Sequence, residues 1–155
     1  MRFARLTILL AAMSAFAALP TVDEGGFQKL VHSNKGKVVL YDFWATWCHG
    51  CREELPRLVQ LEAKLRARGF ELVTISADDP DKAAEAATVL KQLAFHGQAY
   101  RKQAQDDDHF INSVDKTWSG ALPALFLYDK NGNRVRSFIG ETDNATLETA
   151  IRKVL

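Results

Sequence analysis

The sequence predicts a three-layer α/β domain, with helices covering both faces of a central mixed β-sheet. Three observations lead there. Buried-type strands alternate with helical stretches through the first half of the chain, and a hairpin and a closing helix complete the second half. The run Val-Val-Leu-Tyr-Asp-Phe-Trp at 38–44 is almost continuously apolar, which suits a strand buried on both faces. The length of 155 residues, with 47% hydrophobic and 25% charged, supports one domain with an ordinary core and excludes global disorder.

Residues 23–34 read as a short helix with Phe27, Leu30 and Val31 on one face, closed at Lys35-Gly36. The buried strand follows over 37–44. Residues 48–68 have helical spacing that turns Leu55, Leu58, Val59 and Leu65 inward. The pairs Glu53/Arg57 and Glu62/Arg66 fall on its outer face, and Gly69 ends it. Residues 70–77 form a second buried strand. Asp79-Pro80 opens an Ala-rich helix to about residue 95, with proline in its first turn. Residues 98–105 read as a short edge strand, and 106–115 as a polar turn or short helix. Strands over 122–129 and 134–139 pair antiparallel about Asn131-Gly132. A helix over 142–155 then buries Leu147, Ile151 and Val154.

Residues 1–17 read as a secretory signal. Arg2 and Arg5 precede an apolar stretch, and Ala15-Phe16-Ala17 offers a small-x-small cleavage pattern. The stretch from Leu6 to Leu19 falls short of the ~20 residues a membrane-spanning helix needs, so cleavage is favoured over a retained membrane anchor. Loss of the two arginines takes the net charge from +1 to −1. The expected location is periplasmic or otherwise exported, where thiols meet an oxidising environment. A near-neutral charge gives no basic field for a nucleic-acid partner. Two cysteines exclude a disulfide-scaffold miniprotein and any four-thiolate metal site.

The chemistry concentrates in Trp44-Ala-Thr-Trp-Cys-His-Gly-Cys51. Two cysteines separated by two residues at a helix start are able to close a small disulfide or stay open. Cys48 would face unpaired N–H groups and the positive end of the helix dipole, which favours a thiolate below the free value of about 8.5. Cys51, one turn in, would be the sheltered resolving thiol. A structural bridge is the alternative, but so small a loop adds little stability. Half a zinc site is another, and His32, His49, His96 and His109 show no ligand-like pairing.

The stretch from Val39 to Pro56 resembles the active-site strand and helix of thioredoxin-like proteins, and more narrowly the exported TlpA/ResA-like thiol–disulfide oxidoreductases. The resemblance covers a domain over 22–155 and implies an inserted helix and strand over 79–119. It implies that Cys48 attacks, Cys51 resolves, Pro56 kinks the helix, and Pro123 is a cis-proline facing the disulfide. Leu122 before it would pair its backbone with a substrate strand. Asp42 matches an acid beneath the sulfurs that takes a proton from the resolving thiol. A strand-end carboxylate reaching solvent is the alternative reading. Glu54 matches an acidic position near the ResA-like site, and a solvated surface role is equally open. Trp47 is expected to shield the disulfide edge. Trp118 is read as core packing, or as part of a docking surface.

His49 and Gly50 depart from the relatives, which commonly carry proline in the second place. A protonated His49 would stabilise the thiolate and raise the potential above thioredoxin's. The implied activity is disulfide exchange with client proteins bearing cysteine pairs, in the reducing direction, with cytochrome c assembly as one setting. A membrane thiol reductase would supply electrons. No metal or organic cofactor is expected, and the protein is expected to be a monomer. A thiol peroxidase on the same fold is a second reading, although Thr46 lies two rather than three residues before Cys48. A copper-binding module using Cys48, Cys51 and a histidine is a third.

Overall fold

The computed structural model describes residues 18–155, and the signal expected over 1–17 lies outside them. The chain runs β1 (Thr21–Val22), α1 (Glu24–Ser33), β2 (Val38–Trp44), α2 (His49–Leu65), β3 (Phe70–Ser76) and α3 (Ala83–Gln92). It continues through β4 (Gln98–Lys102), α4 (Asp107–Val114), β5 (Ala124–Tyr128), β6 (Arg134–Ile139) and α5 (Asn144–Arg152). The strands form one mixed sheet in the order β1-β4-β3-β2-β5-β6. The first four are parallel neighbours, while β5 and β6 join antiparallel.

All seven residues of β2 are buried, because strands flank it on both sides and helices cover both faces. Alternation then sorts its side chains. Val39, Tyr41 and Phe43 enter a cluster with Phe27 of α1 and Phe110 of α4. Val38, Leu40 and Trp44 enter a second cluster with Leu55 and Leu58 of α2, Leu90 of α3 and Ile151 of α5. Phe27 anchors the first, its ring 5.3 Å from Tyr41 and 5.8 Å from Phe43. The second cluster contains Cys48 and Cys51, so the cysteine pair is built into core packing. That α2–sheet–α1 sandwich is the three-layer fold expected from the sequence.

Several details differ from the sequence expectation. Thr21–Val22 forms a two-residue strand, which makes β1 the outermost strand on that side and moves β4 one place inward. Pairing requires only a short extended segment here, too brief for periodicity to reveal. The helix expected from residue 79 splits into a 3₁₀ turn at Pro80–Lys82 and a shorter α3. Residues 106–115 resolve as a helix, capped by Asp106, whose carboxylate accepts the His109 N–H at 2.9 Å. Val154 is only partly buried, because α5 ends at Arg152. Among the described residues no helix is long and apolar enough to cross a membrane.

Helix α5 begins at Asp143, whose side chain accepts the N–H of Thr146 at 2.9 Å and its hydroxyl at 2.7 Å. Asp143→Ala removes that cap. It is expected to lower stability, measured as a lower urea midpoint with an unchanged slope.

Candidate active site

Strand β2 delivers its last residue, Trp44, to the rim of the sheet, and the turn Ala45-Thr46-Trp47 leads into α2. Asp78, just past β3, fixes that turn. Its carboxylate accepts the Thr46 N–H at 3.0 and 3.1 Å and the Thr46 hydroxyl at 2.7 Å. The Ser76 hydroxyl donates to it at 2.7 Å. Sequence reading missed Asp78, and the available signal was a carboxylate two residues past a buried strand. Thr46, weighed as a peroxide-site threonine, has its hydroxyl committed to this carboxylate.

Cys48 is the N-cap of α2. Its Sγ accepts the Cys51 N–H at 3.3 Å, which turns a backbone donor of the first helical turn toward the sulfur. Cys48 and Cys51 are joined as a disulfide, with Cα atoms 5.3 Å apart. Cys48 is 8% exposed and Cys51 2%, in keeping with an outer and an inner sulfur. Trp47 beside them is 69% exposed, the most exposed large apolar side chain among the described residues. It lines a groove of about 560 Å³ together with Leu122, Gly120, Ile111, Arg101 and Lys102.

The Leu122–Pro123 peptide is cis. Pro123 is buried, and its carbonyl accepts the Gly140 N–H at 2.8 Å, which ties the loop after β6 to the start of β5. Leu122 is half-buried against the cluster that holds the two cysteines. Trp118 is buried on Phe43 and Phe126, at 4.9 and 5.2 Å between rings, and donates to the Ala121 carbonyl at 2.9 Å. It therefore serves packing and props the loop that carries Leu122. Pro56 lies inside α2.

Asp42 is 2% exposed, paired in register with Thr74 on one side and Leu125 on the other. The solvent-reaching alternative is thereby excluded. Alternation places it on the same sheet face as Leu40 and Trp44, the face that carries the cysteines. Its Oδ2 has no hydrogen-bond partner. Burial drives its carboxyl well above the ordinary range, and the nearby Glu54 charge adds to the rise.

Glu54 is also 2% exposed, so the surface role left open for it does not hold. Its Oε1 accepts the Thr142 N–H at 3.2 Å, while Oε2 is unpaired. Burial raises its pKa against the lowering effect of the Thr142 N–H and of Arg57. Glu62, expected on the outer face, is buried as well, held by Arg66 at 2.9 Å. Glu53 pairs with His49, not Arg57: the two meet at 3.1 Å, both largely exposed. An imidazolium at His49 is thus balanced by a carboxylate and screened by solvent, which weakens its leverage on Cys48. Gly50 is crossed by the side chain of Glu141, a residue sequence reading did not single out.

Comparison with known proteins agrees with this geometry. A sequence model of the AhpC/TSA family matches residues 13–136. The thiol-disulfide oxidoreductase ResA of Bacillus thuringiensis (strain Al Hakam) is 32% identical over 120 residues, covering 77% of this chain and 65% of the relative. The ResA of Geobacillus kaustophilus is 25% identical over 132 residues, covering 85% of this chain and 71% of the relative. The chain thus spans about two thirds of the length of the curated relatives it matches. Among solved structures, a Chlorobium tepidum protein described as thiol:disulfide interchange protein DsbE superposes with a TM-score of 0.62 at 26% identity, covering 88% of each chain. The thioredoxin domain of a Bacteroides vulgatus thiol-disulfide oxidoreductase superposes at 0.65 and 24% identity, covering 95% of this chain and all of that one.

Proposed function

The chain belongs to the AhpC/TSA family of the thioredoxin-like fold, and on that premise we propose that it is a thiol–disulfide oxidoreductase. It exchanges disulfides with protein clients outside the cytosol, in the reducing direction. The observation that carries this reading is the Cys48–Cys51 disulfide at the start of α2, with the less buried sulfur capping the helix and the more buried one a turn further in.

In the reduced protein, the Cys48 thiolate attacks one sulfur of a client disulfide. A mixed disulfide forms, and the other client sulfur leaves as a thiolate that takes a proton from water. Cys51 then gives its proton to the carboxylate of Asp42 and attacks Cys48 Sγ. The second client thiolate departs, and the protein is left as the disulfide described above. The cysteine pair carries both electrons, so the proposed exchange needs no metal or organic cofactor. Two electrons and two protons must return from a donor, for which a membrane thiol reductase is the proposed source.

Clients with extended cysteine-bearing segments suit the site. Exposed Trp47 and half-buried Leu122 flank the groove beside the disulfide and offer an apolar edge for such a segment. Oxidised cysteines of exported proteins, including cytochromes c during assembly, are the proposed substrates, supported by the resemblance of the active-site segment. Export itself is supported by the basic start and apolar stretch of residues 1–17.

The test is dithiothreitol-driven reduction of insulin by the purified protein. Precipitation well ahead of dithiothreitol alone is expected. Background rates combined with rapid peroxide consumption would overturn the proposal in favour of a peroxidase.

A further inference from the structure

Glu141 occupies a fixed place over the cysteine motif. On its N-terminal side, the Gly140 N–H donates to the Pro123 carbonyl at 2.8 Å. On its C-terminal side, the Thr142 N–H donates to Glu54 Oε1 at 3.2 Å. The backbone flanking Glu141 is therefore tied to the cis-proline strand at one end and to α2 at the other. Its side chain lies across Gly50: a Cβ built there would meet Glu141 Oε1 at 2.6 Å, Cγ at 3.1 Å and Cδ at 3.3 Å. The missing side chain at Gly50 is what admits a carboxylate against the peptide between the two cysteines.

We propose that Glu141, seated on Gly50, biases the cysteine pair toward the disulfide and makes the protein a stronger reductant. The inference rests on the thiol–disulfide reading above. A carboxylate beside the motif opposes ionisation of Cys48, whereas the disulfide carries no charge for it to repel. Reduced protein is destabilised relative to oxidised, and the potential falls. The other charges around the motif do not duplicate this arrangement. On α2, His49 and Glu53 pair with each other, Arg52 reaches the Thr46 carbonyl at 3.5 Å, and Arg57 lies beside Glu54. Asp42 on β2 is buried, and Asp78 past β3 is occupied by Thr46 and Ser76. The Glu141 charge is already felt at Glu54, whose carboxyl it helps to raise.

The experiment is equilibration with glutathione redox buffers, with alkylation of Cys48 followed against pH, for wild type, Glu141→Gln, Gly50→Ala and the double variant. Glu141→Gln keeps the shape of the side chain and removes its charge. It is expected to shift the equilibrium about threefold to tenfold toward the dithiol and to move Cys48 alkylation to lower pH. Gly50→Ala, by pushing the carboxylate aside, is expected to act in the same direction in the wild-type background and to add nothing to Glu141→Gln. The inference is overturned if Glu141→Gln leaves both readouts unchanged, or if Gly50→Ala shifts the equilibrium equally in both backgrounds. A wild-type pair that fails to exchange with glutathione at all would sink the oxidoreductase reading, and this one with it.

Discussion

Cys48→Ala is expected to reduce insulin no faster than dithiothreitol alone, whereas Cys51→Ala is expected to attack once and stop. The two sulfurs differ in access and in surroundings. Cys48 caps α2 and its Sγ accepts a helical N–H, a placement that would favour a thiolate, and it is the less buried of the two. Cys51 is sheltered and has only Cys48 to attack. With Cys51 removed, the mixed disulfide has no internal nucleophile to resolve it, and a covalent client adduct should accumulate to one per protein. Mass spectrometry of the trapped species checks this. An adduct forming on Cys51 in the Cys48→Ala protein, at a comparable rate, would reverse the assignment of attacking and resolving thiols.

The second large effect is expected at Asp42. A carboxylate at the centre of the sheet, with one oxygen unpaired, is favoured in its protonated form by burial and by the charge of Glu54. The fold raises the pKa of this acid above its unfolded value, so the native state holds the proton more tightly. The associated stability is fully present below the unfolded carboxylate range. It is lost as pH rises through the elevated native value, by about 1.4 kcal/mol for each unit of elevation. Asp42→Asn cannot ionise. Its unfolding curves should converge with wild type in acid and show the variant more stable at neutral and alkaline pH, with a smaller residual slope from Glu54. Catalysis should move the other way. Without Asp42 as base, Cys51 loses its proton more slowly, and resolution of the mixed disulfide is expected to slow by about a hundredfold or more. Urea titrations across pH, together with stopped-flow tryptophan fluorescence, report the two effects. Parallel stability curves and an unchanged resolution rate would remove Asp42 from the mechanism.

Helix α2 illustrates how far local pattern carries. Leu55, Leu58 and Leu65 were legible as the inward stripe because apolar side chains recur there at helical spacing. Glu54 and Glu62 lie four residues on either side of Leu58, on the same stripe, yet charge alone suggested the solvent face. Both are buried with partners in place: the Thr142 N–H for Glu54, and for Glu62 the local Arg66 guanidinium together with the Leu72 N–H of β3. The Glu62/Arg66 pair is evident from its four-residue spacing, whereas the Thr142 and Leu72 partners are not. Val59 and Val154 err in the opposite sense, apolar residues that pack at the margin of the core cluster and are only partly covered.

The sequence by itself determined the layered α/β architecture, the central position of β2, the hairpin, and a cysteine pair at a helix start. Each of these follows from residue type and periodicity within a few turns of chain, where backbone geometry is the whole constraint. Only the tertiary structure decided the two-residue outer strand, the clamp of Asp78 on Thr46, the burial of Glu54, and the placement of Glu141 across Gly50. Those contacts join residues tens of positions apart. Strand order and sheet twist bring them together, and a charged side chain's energy depends on which neighbours that folding supplies.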